Sequence, residues 1–114
     1  MFDIQHEINS DTLILKPVGR LDGTTVASFE NTTLSLIKAE HPTVILDMSG
    51  VDYLSSAGLR SLLIIAKQIK SIGGSASLCE LRGNVAEVIA VSGFDTIFRI
   101  FANITQAKRI DDLS

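Results

Sequence analysis

Apolar and polar positions alternate along the start of the chain: Phe2, Ile4 and Ile8 fall in one phase with His6 between them, the pattern of a half-buried strand over Phe2–Ile8. Asn9-Ser10-Asp11 is a turn, and Leu13 and Leu15 set against Ile14 and Lys16 give a second strand, Thr12–Val18, as its hairpin partner. Pro17 near the end of that strand implies an edge position or a bulge, and Gly19 breaks it. The period then changes. Val26, Phe29, Thr33, Leu36 and Ile37 share one helical face, which predicts a helix running to about Glu40, with Asp22 or Thr24 as its N-cap and His41-Pro42 as its stop. The apolar run Val44, Ile45, Leu46, Asp47, Met48 reads as a buried strand over 43–48.

A short polar turn at Ser49-Gly50 and a pair of serines, Ser55 and Ser56, lead into the clearest helix. Leu59, Leu62, Leu63, Ala66 and Ile69 place it from Ala57 to Ile72, and Gly73-Gly74 ends it. At about 100° per residue its core face centres near Ala66, with Ile65 at the edge, while Ile64 points to the opposite side among Arg60, Lys67 and Ser71. Ser75–Leu81 is a strand. Asn84–Ser92 is a short helix with Val85, Val88 and Ile89 inward and Gly93 as terminator. Thr96–Phe101 alternates again as a last strand, and a final helix starts near Thr105. Strands separated by single helices need crossover connections. The order ββαβαβαβα therefore predicts an α/β fold: one mixed sheet with an N-terminal antiparallel hairpin and helices packed over it.

A chain of 114 residues builds one domain with a single core. Its 46% hydrophobic and 20% charged residues are those of an ordered globular protein. A net charge of −3 argues against nucleic acid as a partner, since the basic residues are scattered apart from Lys108-Arg109. No apolar run approaches a membrane span and the N-terminus lacks the features of a signal peptide, so no membrane insertion is expected. The lone cysteine, Cys79, excludes an internal disulfide and suits a reducing cytoplasm. The acidic charge and the lack of a self-complementary stripe favour a monomer.

Catalysis finds few residues to work with. His6 and His41 lie far apart and neither has a cysteine or histidine neighbour, so no metal site is expected. Ser56 lacks the elbow of the hydrolases, and no glycine-rich phosphate loop follows a strand. Cys79 sits in a strand pattern with nothing to lower its pKa, which fits a small core residue. Neither enzyme activity nor a cofactor is expected. What remains is the serine pair at a helix N-terminus, where unpaired N–H groups and the positive end of the dipole favour negative charge. A serine there caps the helix, binds an anion, or carries a phosphate that changes what docks.

The layout as a whole resembles the STAS domain of bacterial anti-sigma factor antagonists. The resemblance rests on Gly19-Arg20-Leu21-Asp22, on Leu46 to Val51, on Ser55-Ser56-Ala57-Gly58-Leu59, on Ile72-Gly73-Gly74 and on Val91-Ser92-Gly93-Phe94. It implies a switch. The unphosphorylated antagonist binds an anti-sigma factor that is also a serine protein kinase, phosphorylation of one serine abolishes binding, and a serine phosphatase restores it. The family's pattern, Asp-Ser-(Ser/Thr/Ala)-Gly-Leu, puts the acceptor on Ser56, with Ser55 as the alternative because it stands where many members carry Asp. By the same resemblance Asp22 matches an Asp facing the site, a role set against helix capping. Ser55, Ser56, Ala57, Gly58 and Asp22 are thus the expected partner-binding residues. Ile64 with Arg60 and Lys67 as its rim extends them into a docking patch. A second reading from the same resemblance is a STAS subunit bound to the ATPase of a lipid-transporting ABC system.

Overall fold

The computed structural model describes residues 2–113, with side chains placed through residue 108. The hairpin forms as expected from β1 (Asp3–Asn9) and β2 (Thr12–Leu21), with Asp3 opposite Val18 and Asn9 opposite Thr12. Phe2 and Ile4 pack on the core, Phe2 edge-on to Phe29 with ring centroids 6.1 Å apart. Ile8, in the same phase, is 47% exposed because the far end of the hairpin is solvated. Helix α1 (Val26–Leu36) stops short of the expected Glu40. Ile37 leaves it in an extended conformation and buries its side chain.

Strands β3 (Thr43–Asp47) and β4 (Gly50–Leu54) follow, then α2 (Ser56–Ser71), β5 (Ser75–Cys79) and α3 (Gly83–Ser92). A 3₁₀ turn at Phe94–Thr96 precedes β6 (Arg99–Phe101) and α4 (Ile104–Leu113). The sheet order is β1-β2-β3-β5-β6, antiparallel at the hairpin and parallel elsewhere. The architecture is the predicted mixed α/β sheet, with one strand more than the pattern showed. That strand, β4, pairs in parallel with the far end of β2.

β2 therefore serves two parallel partners in succession. Thr12–Leu15 pair with β3, Val18–Leu21 pair with β4, and the register shifts between Gly19 and Arg20, where Gly19 has a φ of 119°. Pro17 falls in the gap between the two partners, where neither parallel ladder has a paired residue. Its position is thus internal to the sheet, and the irregularity it signals lies two residues on.

Two apolar clusters hold the fold. The larger joins Leu13, Leu15, Leu46 and Leu78 of the sheet to Phe29 of α1, to Leu62, Ile65 and Ile69 of α2 and to Val85 and Ile89 of α3. The smaller, on Ile14, Ile45 and Cys79, is covered by Ala107 of α4. The buried stripe of α2 runs through Gly58, Ser61, Leu62, Ile65, Ala66 and Ile69. It is rotated from the predicted face, so that Ile65 is fully buried while Leu59 and Leu63 are only half-buried. Ile64 lies outward at 39% exposure, as its helical position requires.

Candidate functional site

The ends of β2 and β4 lie side by side, Arg20 opposite Tyr53 and Leu21 opposite Leu54. From there the chain enters α2, and everything at the entry converges on one carbonyl. Leu21 O accepts the Ser55 N–H at 2.9 Å and the Ser55 hydroxyl at 3.1 Å. Ser55, extended at φ −91° and ψ 175°, is the N-cap: its Oγ accepts the Gly58 N–H at 3.2 Å. A Cβ on Gly58 would stand 2.7 Å from Leu21 O and 2.7 Å from Leu54 Cδ1, so only glycine lets the helix approach β2 this closely.

The two serines thus part company. The Ser55 hydroxyl donates to Leu21 O and accepts the Gly58 N–H; the accepting half is what an N-cap aspartate would do for the helix. Ser56, the first residue of α2, is exposed, and its hydroxyl makes no hydrogen bond among the described residues. The sequence placed the helix start at Ala57; the capping geometry moves it one residue earlier.

Asp22, next along from Leu21, is occupied locally. Its Oδ1 accepts the Thr24 N–H at 2.9 Å and the Thr24 hydroxyl at 2.7 Å, closing an Asx turn. Its Oδ2 faces Arg20 Nε at 3.4 Å. The Thr24 hydrogen bonds, and after them Arg20, hold the carboxyl below its ordinary range. Neither Asp22 nor Thr24 caps α1. Thr25 stands at the N-cap, and its hydroxyl donates to Arg20 O at 2.6 Å without bonding into the helix. The Arg20 guanidinium also lies 4.1 Å from the centre of the Tyr53 ring.

Between α1 and α2 a shallow depression of about 400 Å³ opens beside Ser56. Val26 and Glu30 of α1 line one side, and Ser56, Ala57, Arg60, Ser61 and Ile64 of α2 the other. At its floor the Ser61 hydroxyl, almost wholly buried, donates to Glu30 Oε1 at 2.9 Å. Of the residues expected from sequence, Ser56, Ala57, Arg60 and Ile64 meet here. Gly58 lies beneath, against β2. Lys67 is exposed further along α2 and borders a different cleft, toward Arg99. Val26, Glu30 and Ser61 escaped the sequence reading. The predicted core face, centred near Ala66, leaves Ser61 on the far side of α2, so the need of its buried hydroxyl for a partner emerges only with the structure.

The remaining chemistry is structural. Cys79 is buried, its thiol directed at Leu46 O at 3.8 Å and pushed up to about 12 by burial, with Asp47 and Glu80 adding to the effect. His41 Nδ1 lies 3.0 Å from Ser10 O. Among the described residues no group of three potential metal ligands comes together, and no helix is long and apolar enough to cross a membrane.

Comparison with known proteins adds four findings. The family model of the STAS domain matches residues 3–107. BtrV of Bordetella bronchiseptica, described as a candidate anti-sigma factor antagonist, is 48% identical over 64 residues, a span of 56% of this chain and 54% of that protein. The match thus spans about half the length of that relative. Among solved structures, a candidate anti-sigma factor antagonist of Thermotoga maritima superposes with a TM-score of 0.86 at 24% identity, covering 93% of this chain and 92% of that one. The antagonist SpoIIAA in its unphosphorylated form superposes at 0.78 with 17% identity over 98% and 97% of the two chains. These likenesses to solved structures establish the fold.

Proposed function

We propose that this chain, which belongs to the STAS domain family, is a non-catalytic regulatory module of a cytoplasmic partner-switching pathway. Its unphosphorylated form binds an anti-sigma factor that is also a serine protein kinase, and phosphorylation of Ser56 ends the complex. The observation that carries this reading is the division of labour at the helix entry. Ser55 is committed to capping, whereas the Ser56 hydroxyl is exposed and free of hydrogen bonds among the described residues. The antagonist role ascribed to BtrV supports it, as does the existence of Bacillus SpoIIAA in a phosphorylated form on the same fold.

The chemistry belongs to the partners. The kinase passes the γ-phosphoryl group of ATP to Ser56 Oγ; a P–O bond forms, ADP leaves, and the hydroxyl proton goes to the kinase's base. A serine phosphatase reverses the change by adding water across the ester and releasing inorganic phosphate. The modified serine carries about −1.5 to −2 charge and three acceptor oxygens. At the first residue of α2 that charge faces the positive end of the helix dipole, so the domain itself tolerates it. The cost falls on the complex, where the phosphate occupies the mouth of the depression beside Ile64. Asp22, beside the end of β2, and Lys67, further along α2, are the outlying members of the proposed docking surface.

The test is affinity capture from the source organism with wild type and Ser56→Asp, with retained proteins identified by mass spectrometry. A kinase-type ATPase held by the wild type and lost by the variant supports the reading. An ABC-type ATPase held equally by both moves the chain to transport and overturns it.

A further inference from the structure

We propose that Arg60 is the residue through which a phosphate on Ser56 acts: the phosphate takes Arg60 as its counter-ion and withdraws it from the docking surface. This rests on Ser56 being the phospho-acceptor. Ser56 and Arg60 are four residues apart on α2 and line the same depression, with Ile64 one further turn along. Side chains at that spacing are neighbours on a helix surface, and acid before base is the favoured order. A long helical side chain also leans toward the N-terminus, which carries the guanidinium toward position 56.

The charges around the depression leave the phosphate little choice. Among the described residues the ion pairs are Arg20 with Asp22 and Arg82 with Glu80, so Arg60 is unpaired. Arg20 is already engaged by Asp22 and by the Tyr53 ring, and Lys67 borders another cleft. Across the groove stands Glu30, which binds Ser61 and repels a second anion. The amides of the first turn are partly spent as well, since Gly58 N–H goes to Ser55 Oγ and Leu59 N–H to Ser55 O. Arg60 is thus the one unpaired cation lining the depression, and its planar fork matches two phosphate oxygens at once.

In the unmodified chain the same fork is open to a carboxylate of the partner. Phosphorylation therefore does more than add bulk. It fills the mouth of the groove and removes a donor from the surface in one step, with no movement of the backbone.

The experiment needs neither kinase nor partner. Phosphoserine is placed at position 56 by genetic encoding in the wild-type chain and in Arg60→Gln and Arg60→Lys, and the phosphate is titrated by ³¹P NMR. Pairing lowers the second phosphate pKa in the wild type relative to Arg60→Gln by about half a unit, a roughly threefold change in protonation ratio. Arg60→Lys recovers part of that difference, and 1 M salt shrinks it. Equal pKa values in wild type and Arg60→Gln overturn the proposal. Because this readout uses genetically encoded phosphoserine, a failure here is separate from a failure of the affinity capture, which tests whether Ser56 controls a partner at all.

Discussion

Replacing Ser55 and Ser56 in turn by alanine separates the two hydroxyls cleanly. Ser55→Ala deletes the bond donated to Leu21 O and the bond accepted from Gly58 N–H. Leu21 O keeps the Ser55 amide at 2.9 Å, so the main loss is the cap. Losing an N-cap costs typically about 1 kcal/mol, and a half-buried side-chain bond adds some tenths, giving about 1.5 kcal/mol. For a domain of this size that lowers the melting temperature by roughly 4–8 °C. Ser56→Ala removes an exposed hydroxyl with no partner, so its effect stays within about 0.5 kcal/mol. Ser55→Asp restores an acceptor at the cap and adds a favourable charge–dipole contact, while losing the donor to Leu21 O; it falls between the two. Urea denaturation of the three variants and the wild type, at one pH and with slopes compared, measures the order directly. A Ser56→Ala loss equal to that of Ser55→Ala would refute the division of roles, and so would a neutral Ser55→Ala.

Gly58→Ala pushes a methyl to 2.7 Å from Leu21 O and Leu54 Cδ1 and is expected to cost about 2–3 kcal/mol, read from the denaturation midpoint. Gly23→Ala, which meets nothing within 4 Å, is its near-neutral control. Ile64→Lys is expected to leave folding cooperativity and midpoint nearly unchanged while abolishing capture of the partner; an intact complex would remove Ile64 from the docking surface. Cys79, with its thiol pushed up to about 12, resists a thiol reagent at pH 8 in the native state and reacts at once in denaturant. The same shift has a stability consequence whose sign is fixed. Below the ordinary thiol value of 9.0 both states keep the proton, whereas between that value and about 12 only the unfolded chain gives it up. Stability therefore falls with rising pH over that window, and Cys79→Ala makes the fall shallower; equal slopes for the two proteins would contradict the burial of this thiol.

Much of this molecule is written in its hydrophobic period. The hairpin, β3, α2 and α3 follow from it, and the outward position of Ile64 follows from helix geometry alone. What escaped did so for physical reasons. β4 begins at a glycine and carries an exposed aspartate, Asp52, so its alternation covers too few residues to stand out from a loop. It exists because the end of β2 supplies a ladder, which no local pattern announces. The end of α1 was misread because Ile37 is in phase with the helix and yet buries itself by leaving it. At the site, the serine pair was legible as a pair, but the assignment of cap and exposed hydroxyl depends on the carbonyl of Leu21, distant in sequence. Glu30 was invisible for the same reason, since its partner Ser61 sits on another helix.

The double use of β2 bears on how position 56 is presented at the surface. The segment from Gly50 to Gly58 is clamped to the far end of that strand by a parallel ladder, by Leu21 O and by the tight seat of Gly58. Its shape is inherited from a distant strand, and a short peptide of the same sequence has no means of keeping it. An isolated peptide must be ordered anew in every encounter, at a loss of affinity that the folded domain avoids. If position 56 is the phospho-acceptor proposed above, its recognition is tied to the integrity of the whole domain, and a damaged or half-made chain falls silent instead of sending a false signal.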